Sequence, residues 1–313
     1  MKVIHLTHPA NTELLDLEPT VMALGYFDGI HVGHQKVIMT AKRIADQLGY
    51  KSAVMTFYPH PSVVLGKSKA HVELITPLSI KEKMLAEMGI DIMYVVKFDK
   101  TFAALLPQQF IDEYVIGLHI KHVVAGFDYT YGRLGKGTME TMPFHSRGEF
   151  THTVIEKVEF HEEKVSSTLL RKLIQQGEMD NIPTILGRWY RVEGTVVHGD
   201  KRGRQIGFPT ANVEVASEFM LPPTGVYAVR MKVKDVWHNG VCNVGYKPTF
   251  KKNEKTLTVE VHLLSFQDDI YDEKVEIEWR FRIRSEKKFN GVEELVAQIA
   301  KDKQTALEYF KEQ

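Results

Sequence analysis

Near residue 180 the hydrophobic periodicity of this chain changes, and one sheet topology cannot serve both halves. Before that point strand-like and helix-like runs alternate. Residues 2–6, 21–25, 52–57, 92–98, 122–126 and 154–158 read as strands. Residues 33–48, 79–88, 107–118 and 166–176 read as helices. The helix at 33–48 shows it best, with Val37, Ile38, Ala41, Ile44, Ala45 and Leu48 at spacings of three, four and seven. Repeated βα units of this size predict a parallel sheet with helices on both faces. Beyond Tyr190 the pattern is strand and turn. Val275, Ile277, Trp279, Phe281 and Ile283 alternate with Glu276, Glu278, Arg280, Arg282 and Arg284, as in a half-buried antiparallel strand. Residues 226–233 and 241–244 flank His238-Asn239-Gly240, which reads as a hairpin turn. Such strands predict a small closed barrel, followed by an amphipathic helix through Val292, Leu295, Val296, Ile299, Ala306, Leu307 and Phe310. The expected fold is an α/β domain over residues 1–185 and a mainly antiparallel β-barrel with a terminal helix over 186–313.

A chain of 313 residues can bury two such cores. Forty Lys plus Arg balance forty Asp plus Glu, so no broad cationic footprint points to nucleic acid. One cysteine, Cys242, cannot form an intramolecular disulfide and suits a reducing compartment. No apolar run reaches the ~20 residues of a membrane span, and residues 1–16 lack a signal-peptide core. These features predict a cytoplasmic protein.

Residues 25–34, Gly-Tyr-Phe-Asp-Gly-Ile-His-Val-Gly-His, join a predicted strand to a predicted helix. The first turn of a helix has unpaired N–H groups and the positive end of its dipole, a ready anion site. Gly29 and Gly33 let backbone approach a phosphate, and His31 and His34 supply N–H donors. The same histidines also fit half a metal site or an ordinary surface turn. Ligands in parallel sheets gather beyond the carboxyl ends of the strands. That rule groups this turn with residues 56–61 (Thr-Phe-Tyr-Pro-His-Pro), 126–132 (Gly-Phe-Asp-Tyr-Thr-Tyr-Gly) and 166–171 (Ser-Ser-Thr-Leu-Leu-Arg). Each has a plain structural reading: proline-rich loop, core aromatics, helix cap. Residues 66–68, Gly-Lys-Ser, mimic the end of a Walker A loop, but Pro61 occupies the required earlier glycine position. Residues 132–137, glycine-rich and basic, match no phosphate-loop spacing and read as a mobile loop. In the second half, residues 198–212 (His-Gly-Asp-Lys-Arg-Gly-Arg-Gln-Ile-Gly-Phe-Pro-Thr-Ala-Asn) combine glycine, cations and the oxygens of Thr210 and Asn212. They fit either a phosphate-and-Mg²⁺ loop or a solvated turn.

Taken whole, residues 25–34 resemble the nucleotide-binding signature of the prokaryotic bifunctional riboflavin kinase/FMN adenylyltransferases. The strings at 56–61, 126–132 and 166–171 resemble that family's next motifs, with Tyr129, Tyr131 and Leu170 as mild departures. Residues 199–212, 225–228, 243–250 and 260–264 are similar to riboflavin kinases, in order. Ser265 and Asp272 stand where Asp and Gly are frequent, in a stretch not expected to be catalytic.

The resemblance implies a Rossmann-like nucleotidyltransferase domain and a kinase barrel that make FMN from riboflavin, then FAD from FMN, with ATP and Mg²⁺. It implies that Gly25, Phe27, Asp28, Gly29, His31, Gly33, His34, Ser167, Thr168 and Arg171 bind the ATP of adenylyl transfer. Pro59, His60, Pro61, Gly126 and Asp128 would border its flavin. On the kinase side, Gly203, Arg204, Gly207, Phe208, Pro209, Thr210 and Asn212 would bind ATP, Thr210 and Asn212 holding Mg²⁺. Glu260 would be the base, and Arg284, with Glu260, a flavin neighbour. His31, His34, Arg171 and Glu260 are the expected catalytic residues. Nucleic acid and membrane are not expected as partners; self-association is compatible with the pattern. Two alternatives remain at this level: a riboflavin kinase whose first half is a non-catalytic nucleotide-binding module, and a non-enzymatic flavin carrier or RNA binder.

Overall fold

The computed structural model describes residues 1–10, 17–66, 72–160, 162–199, 202–248 and 255–312. Lys67 and Ser68 of the Walker-like string, Asp200 and Lys201 of the kinase loop, and Thr249 and Phe250 lie outside the described residues. The chain divides into two compact units, Met1–Ser167 and Thr168–Gln313.

The first unit is built on a six-stranded parallel sheet. Its strands are β1 (Lys2–Leu6), β2 (Thr20–Leu24), β3 (Lys51–Tyr58), β4 (Ile92–Lys97), β5 (Ile120–Gly126) and β6 (Thr151–Ile155), in the order β1-β4-β3-β2-β5-β6. Every residue of β2 is buried, and the strand alternates between two cores. Val21 and Ala23 pack with Val37, Ile38, Ala41 and Ala45 of helix α1 (Val32–Leu48). Met22 and Leu24 face Phe102, Phe110 and Tyr114. Each large side chain sealed this way contributes about 1.5–3 kcal/mol. Helix α2 (Leu78–Glu87) follows β3. The helix expected over 107–118 is α-helical only at Pro107–Ile111 and widens into a π-helical segment at Asp112–Ile116. The strand expected at 154–158 lies three residues earlier, because its pairing with His122–Gly126 starts at Thr151. Polar Thr151, His152 and Thr153 concealed it from an apolar pattern. Residues 132–137 do not form a simple loop. They close a two-stranded ribbon, Thr130–Tyr131 with Gly137–Thr138, in which Gly132 packs against the Pro107 backbone at 2.7 Å from where a Cβ would stand.

The second unit begins with helix α3 (Ser167–Gln176), whose first residue still belongs to the first unit. Six antiparallel strands then close a barrel: β7 (Tyr190–Val197), β8 (Ala211–Val215), β9 (Gly225–Val233), β10 (Val236–Pro248), β11 (Lys255–Leu263) and β12 (Lys274–Ser285). Their order is β7-β8-β11-β10-β9-β12. Helix α4 (Val292–Lys311) follows. Tyr227, Cys242, Val261, Ile277 and Trp279 are among the sealed residues.

Two expectations about the barrel are corrected. The hairpin turn is at Lys234-Asp235, and His238-Asn239-Gly240 lies within β10. Lys234 (φ 45°) and Asp235 (φ 66°) both take left-handed backbone, the geometry of a two-residue hairpin turn, without a glycine to signal it. The charged side of β12 is also not solvated throughout. Glu278 and Arg280 are buried, at 1% and 8% exposure. Arg191 donates to Glu278 Oε2 at 2.7 Å, Arg280 pairs with Oε1 at 2.6 Å, and the Arg280 guanidinium lies 4.3 Å over the Trp189 ring. A buried carboxylate between two guanidiniums replaces the water expected there.

Candidate active sites

In the first unit the chain reverses sheet direction between β2 and β5, the position where parallel sheets leave a crevice. The turn leaving β2 is tightly folded. Phe27 (φ 55°) and Ile30 (φ 41°) are buried in left-handed backbone, and the Phe27 ring folds back over Gly25, 2.7 Å from where a Cβ would stand. Asp28, 3% exposed, accepts from Thr76 N at 2.9 Å, and its carbonyl accepts from Ser167 Oγ at 2.7 Å. His31 caps α1: its Nδ1 accepts from His34 N at 3.2 Å, which places the His31 proton on Nε2. The two imidazoles are stacked, with centroids 3.6 Å apart, and Phe27 meets His34 edge-on. His34 Nδ1 is sealed without a partner, and burial holds its pKa well below the usual histidine value, helped by His31, Lys81 and Lys164. His34 is therefore a neutral donor near pH 7.

The carboxyl ends of β3 and β5 bring further expected residues to this edge. His60 meets the Tyr26 ring edge-on at 4.5 Å and caps the short helix Pro61–Val64 through Ser62 N. Gly126 lies against Asp128, whose carboxylate pairs with Lys164. Lys164 also covers the Phe127 ring. Gly25, Phe27, Asp28, Gly29, His31, Gly33, His34, the Pro59–Pro61 turn, Gly126, Asp128 and Ser167 thus all belong to the first unit. Thr168 and Arg171 follow Ser167 on α3 and are counted with the second, where Arg171 Nη1 lies 3.9 Å from Met220 Sδ. Sequence reasoning missed Lys81, which is buried on α2 with its ammonium on Tyr26 O (2.6 Å) and Thr56 Oγ1 (2.8 Å). A lysine at an apolar-periodic position was the available signal.

In the second unit, the kinase-type loop closes on itself, Phe208 N donating to Gly203 O at 2.8 Å. Gly203 lies directly against Phe208 O and Gly199 against the Asn212 side chain, so neither position has room for a Cβ. The Pro209 carbonyl accepts from His262 Nδ1 at 2.7 Å, and burial lowers the His262 pKa, keeping that ring neutral. Thr210 and Arg204 border a cavity of about 410 Å³ with Val261, Asp268, Asp269 and Tyr271. The 265–272 stretch therefore supplies part of the wall. Glu260 is not on that wall: it sits on the opposite side of β11 from Val261, opposite Asn212 on one neighbouring strand and Asn243 on the other. This Asn212–Glu260–Asn243 row was half visible in the sequence, since Asn243 fell within a recognised string without an assigned role. Arg284 commits its guanidinium internally. Nε and Nη2 bind Asp302 at 2.8–3.0 Å, and Nη1 donates to Ser285 O.

Hydroxyl and amide oxygens such as those of Thr210 and Asn212 suit a hard cation that keeps phosphate and water ligands. Among the described residues no cluster of three or more His, Cys, Asp or Glu could hold a metal. The Thr210 hydroxyl and the Asn212 amide oxygen are the kind of donors such a cation takes.

An anion-ready turn at the switch point of a parallel sheet, in one chain with a closed barrel of this loop architecture, defines a two-domain nucleotide-using transferase. The FAD synthetase family profile matches residues 14–169 and the riboflavin kinase profile residues 186–310. The chain belongs to the bifunctional riboflavin kinase/FMN adenylyltransferase family. It is 52% identical over 311 residues to the member from Bacillus subtilis, covering 99% of this chain and 98% of that one. It is 47% identical over 310 residues to the member from Listeria monocytogenes, with the same coverage. The solved structure of a macrolide-efflux protein from Streptococcus pneumoniae superposes with a TM-score of 0.88 at 32% identity, over 98% of this chain and 99% of that one. Among the described residues no helix is long and apolar enough to cross a membrane.

Proposed function

We propose that the chain carries out two successive ATP-dependent reactions, riboflavin to FMN and FMN to FAD, with residues 186–313 as the kinase and 1–185 as the adenylyltransferase. The observation that carries this reading is that each half keeps a formed anion-type turn of its own: the stacked His31–His34 cap in one, the Gly203–Asn212 loop in the other.

In the kinase step Glu260 accepts the proton of the riboflavin 5′-hydroxyl as that oxygen attacks the γ-phosphorus and ADP departs. A neutral hydroxyl is a weak nucleophile, so a positioned carboxylate is useful. Asn212 and Asn243 flank Glu260 in register. Gly203, Arg204, Gly207, Phe208 and Pro209 shape the ATP loop, and Thr210 and Asn212 would hold Mg²⁺. When bound, that ion neutralises charge on the phosphates. Arg284, fixed by Asp302, is assigned to the flavin border.

In the second step an FMN phosphate oxygen attacks the α-phosphorus of ATP and pyrophosphate leaves. The phosphate is already anionic, so alignment and charge stabilisation replace a base. His31 and His34 donate N–H groups to ATP phosphates, together with the first-turn N–H groups of α1 and the head of α3, Ser167, Thr168 and Arg171. Gly25, Phe27, Asp28, Gly29 and Gly33 shape the turn. Pro59, His60, Pro61, Gly126 and Asp128 border the flavin. We assign a cytoplasmic location, which suits a chain whose one cysteine, Cys242, cannot form an intramolecular disulfide.

Purified protein incubated with riboflavin and MgATP should yield FMN, then FAD, on chromatography. FMN without FAD would remove the adenylyl-transfer assignment, and neither product would remove both.

A further inference from the structure

We propose that Lys81 is a positioning residue for adenylyl transfer: its buried ammonium fixes the Tyr26–Asp28 turn and supplies the positive charge beneath it. The inference rests on the adenylyltransferase reading of that turn.

Lys81 is 3% exposed on α2. Its ammonium donates to Tyr26 O at 2.6 Å and Thr56 Oγ1 at 2.8 Å, and lies 4.5 Å over the Tyr26 ring. Satisfying polar groups does not explain it. Thr56 Oγ1 already donates to Tyr26 O at 2.8 Å, so a hydroxyl alone would satisfy the carbonyl. An apolar residue at this helical position would seal against the core without the desolvation that a buried cation costs. The charge is thus an expense the fold does not require. Among the described residues the groups facing it are few. Asp28 comes from the turn and His34 from α1, while His60 touches the Tyr26 ring from the loop after β3. Asp28 is already engaged by Thr76 N. A cation held under a turn that receives polyphosphate fixes the turn before the anion arrives, and its field reaches the anion through a water-poor medium.

Burial lowers the Lys81 pKa to about 8, with Asp28 opposing the shift. The charged, active form is therefore lost as pH rises through that value. Riboflavin phosphorylation by the same chain, carried by the second unit, controls for enzyme concentration, and the melting temperature controls for folding of the first unit.

The test measures FMN adenylylation with MgATP from pH 6.5 to 9.5 in the wild type, Lys81→Met and Lys81→Arg, with riboflavin phosphorylation alongside. In the wild type kcat/KM for ATP should fall above about pH 8. Lys81→Met should lose about ten- to a hundredfold at pH 7, with a melting temperature equal or higher and kinase activity retained. Lys81→Arg should recover most of that loss and carry the plateau to higher pH. A Lys81→Met enzyme as active as wild type, or a Lys81→Arg enzyme as impaired as Lys81→Met, would overturn the proposal. So would a wild-type profile flat through pH 9.5, which needs no variant to fold. A wild type that makes no FAD at any pH fails the adenylyltransferase reading itself.

Discussion

His31 and His34 lie ring upon ring, planes 19° from parallel, and the first accepts a hydrogen bond from the backbone of the second. The pair is therefore a preformed donor set at the head of α1. Replacing both by alanine should let riboflavin proceed to FMN while FAD formation falls by about a hundredfold or more. Chromatography of products at fixed MgATP checks this; an unchanged FAD yield would remove both residues from the step.

The buried state of His34 also predicts a pH dependence of stability. Its folded pKa lies well below the unfolded value near 6.5. The unfolded chain therefore binds the extra proton first as pH falls. Stability is complete above about pH 6.5 and declines below it, toward the folded pKa. Urea unfolding between pH 7.5 and 5 should show this slope in the wild type, and His34→Asn should flatten it.

Glu260→Gln should abolish FMN formation from riboflavin while FMN supplied directly is still converted to FAD. The substitution keeps the size of the side chain in the Asn212–Glu260–Asn243 row and removes the base. Kinase turnover within about tenfold of wild type would contradict that role.

Gly199 has no room for a methyl group because the Asn212 side chain lies against it. Gly199→Ala should push Asn212 aside and raise the Mg²⁺ and ATP concentrations needed for half-maximal kinase activity, with adenylyl transfer unaffected. Titrating each in the kinase assay reads the effect directly.

Asp302, 2% exposed, is bound by Arg284 and by Gln298. Arg284→Met would leave that carboxylate buried without its counter-charge, a loss of about 3–5 kcal/mol. Calorimetry should show the barrel unit melting early, and Arg284→Met/Asp302→Leu should restore much of the loss.

The sequence and the structure part company where a residue's partner is far along the chain. The βα alternation, the Gly25–His34 turn and the barrel strands are local patterns, and each was legible. Glu278 read as solvated because nothing in β12 announces Arg191, and Lys81 read as an ordinary helix residue because Tyr26 and Thr56 are 55 and 25 positions away. The Lys234-Asp235 turn was missed because it places two side-chain-bearing residues in backbone that glycine usually marks. At the sites, residue types were readable but charge states were not: the neutral ring of His34 follows from burial by neighbours drawn from several elements.

Closure of the barrel leaves each of its strands hydrogen-bonded on both flanks, whereas the parallel sheet ends at β1 and β6. The two borders of that sheet, five residues each, stay open to strand addition from another chain. Lys2, His5 and the Thr151-His152-Thr153 run make both of them poor templates for fibre growth.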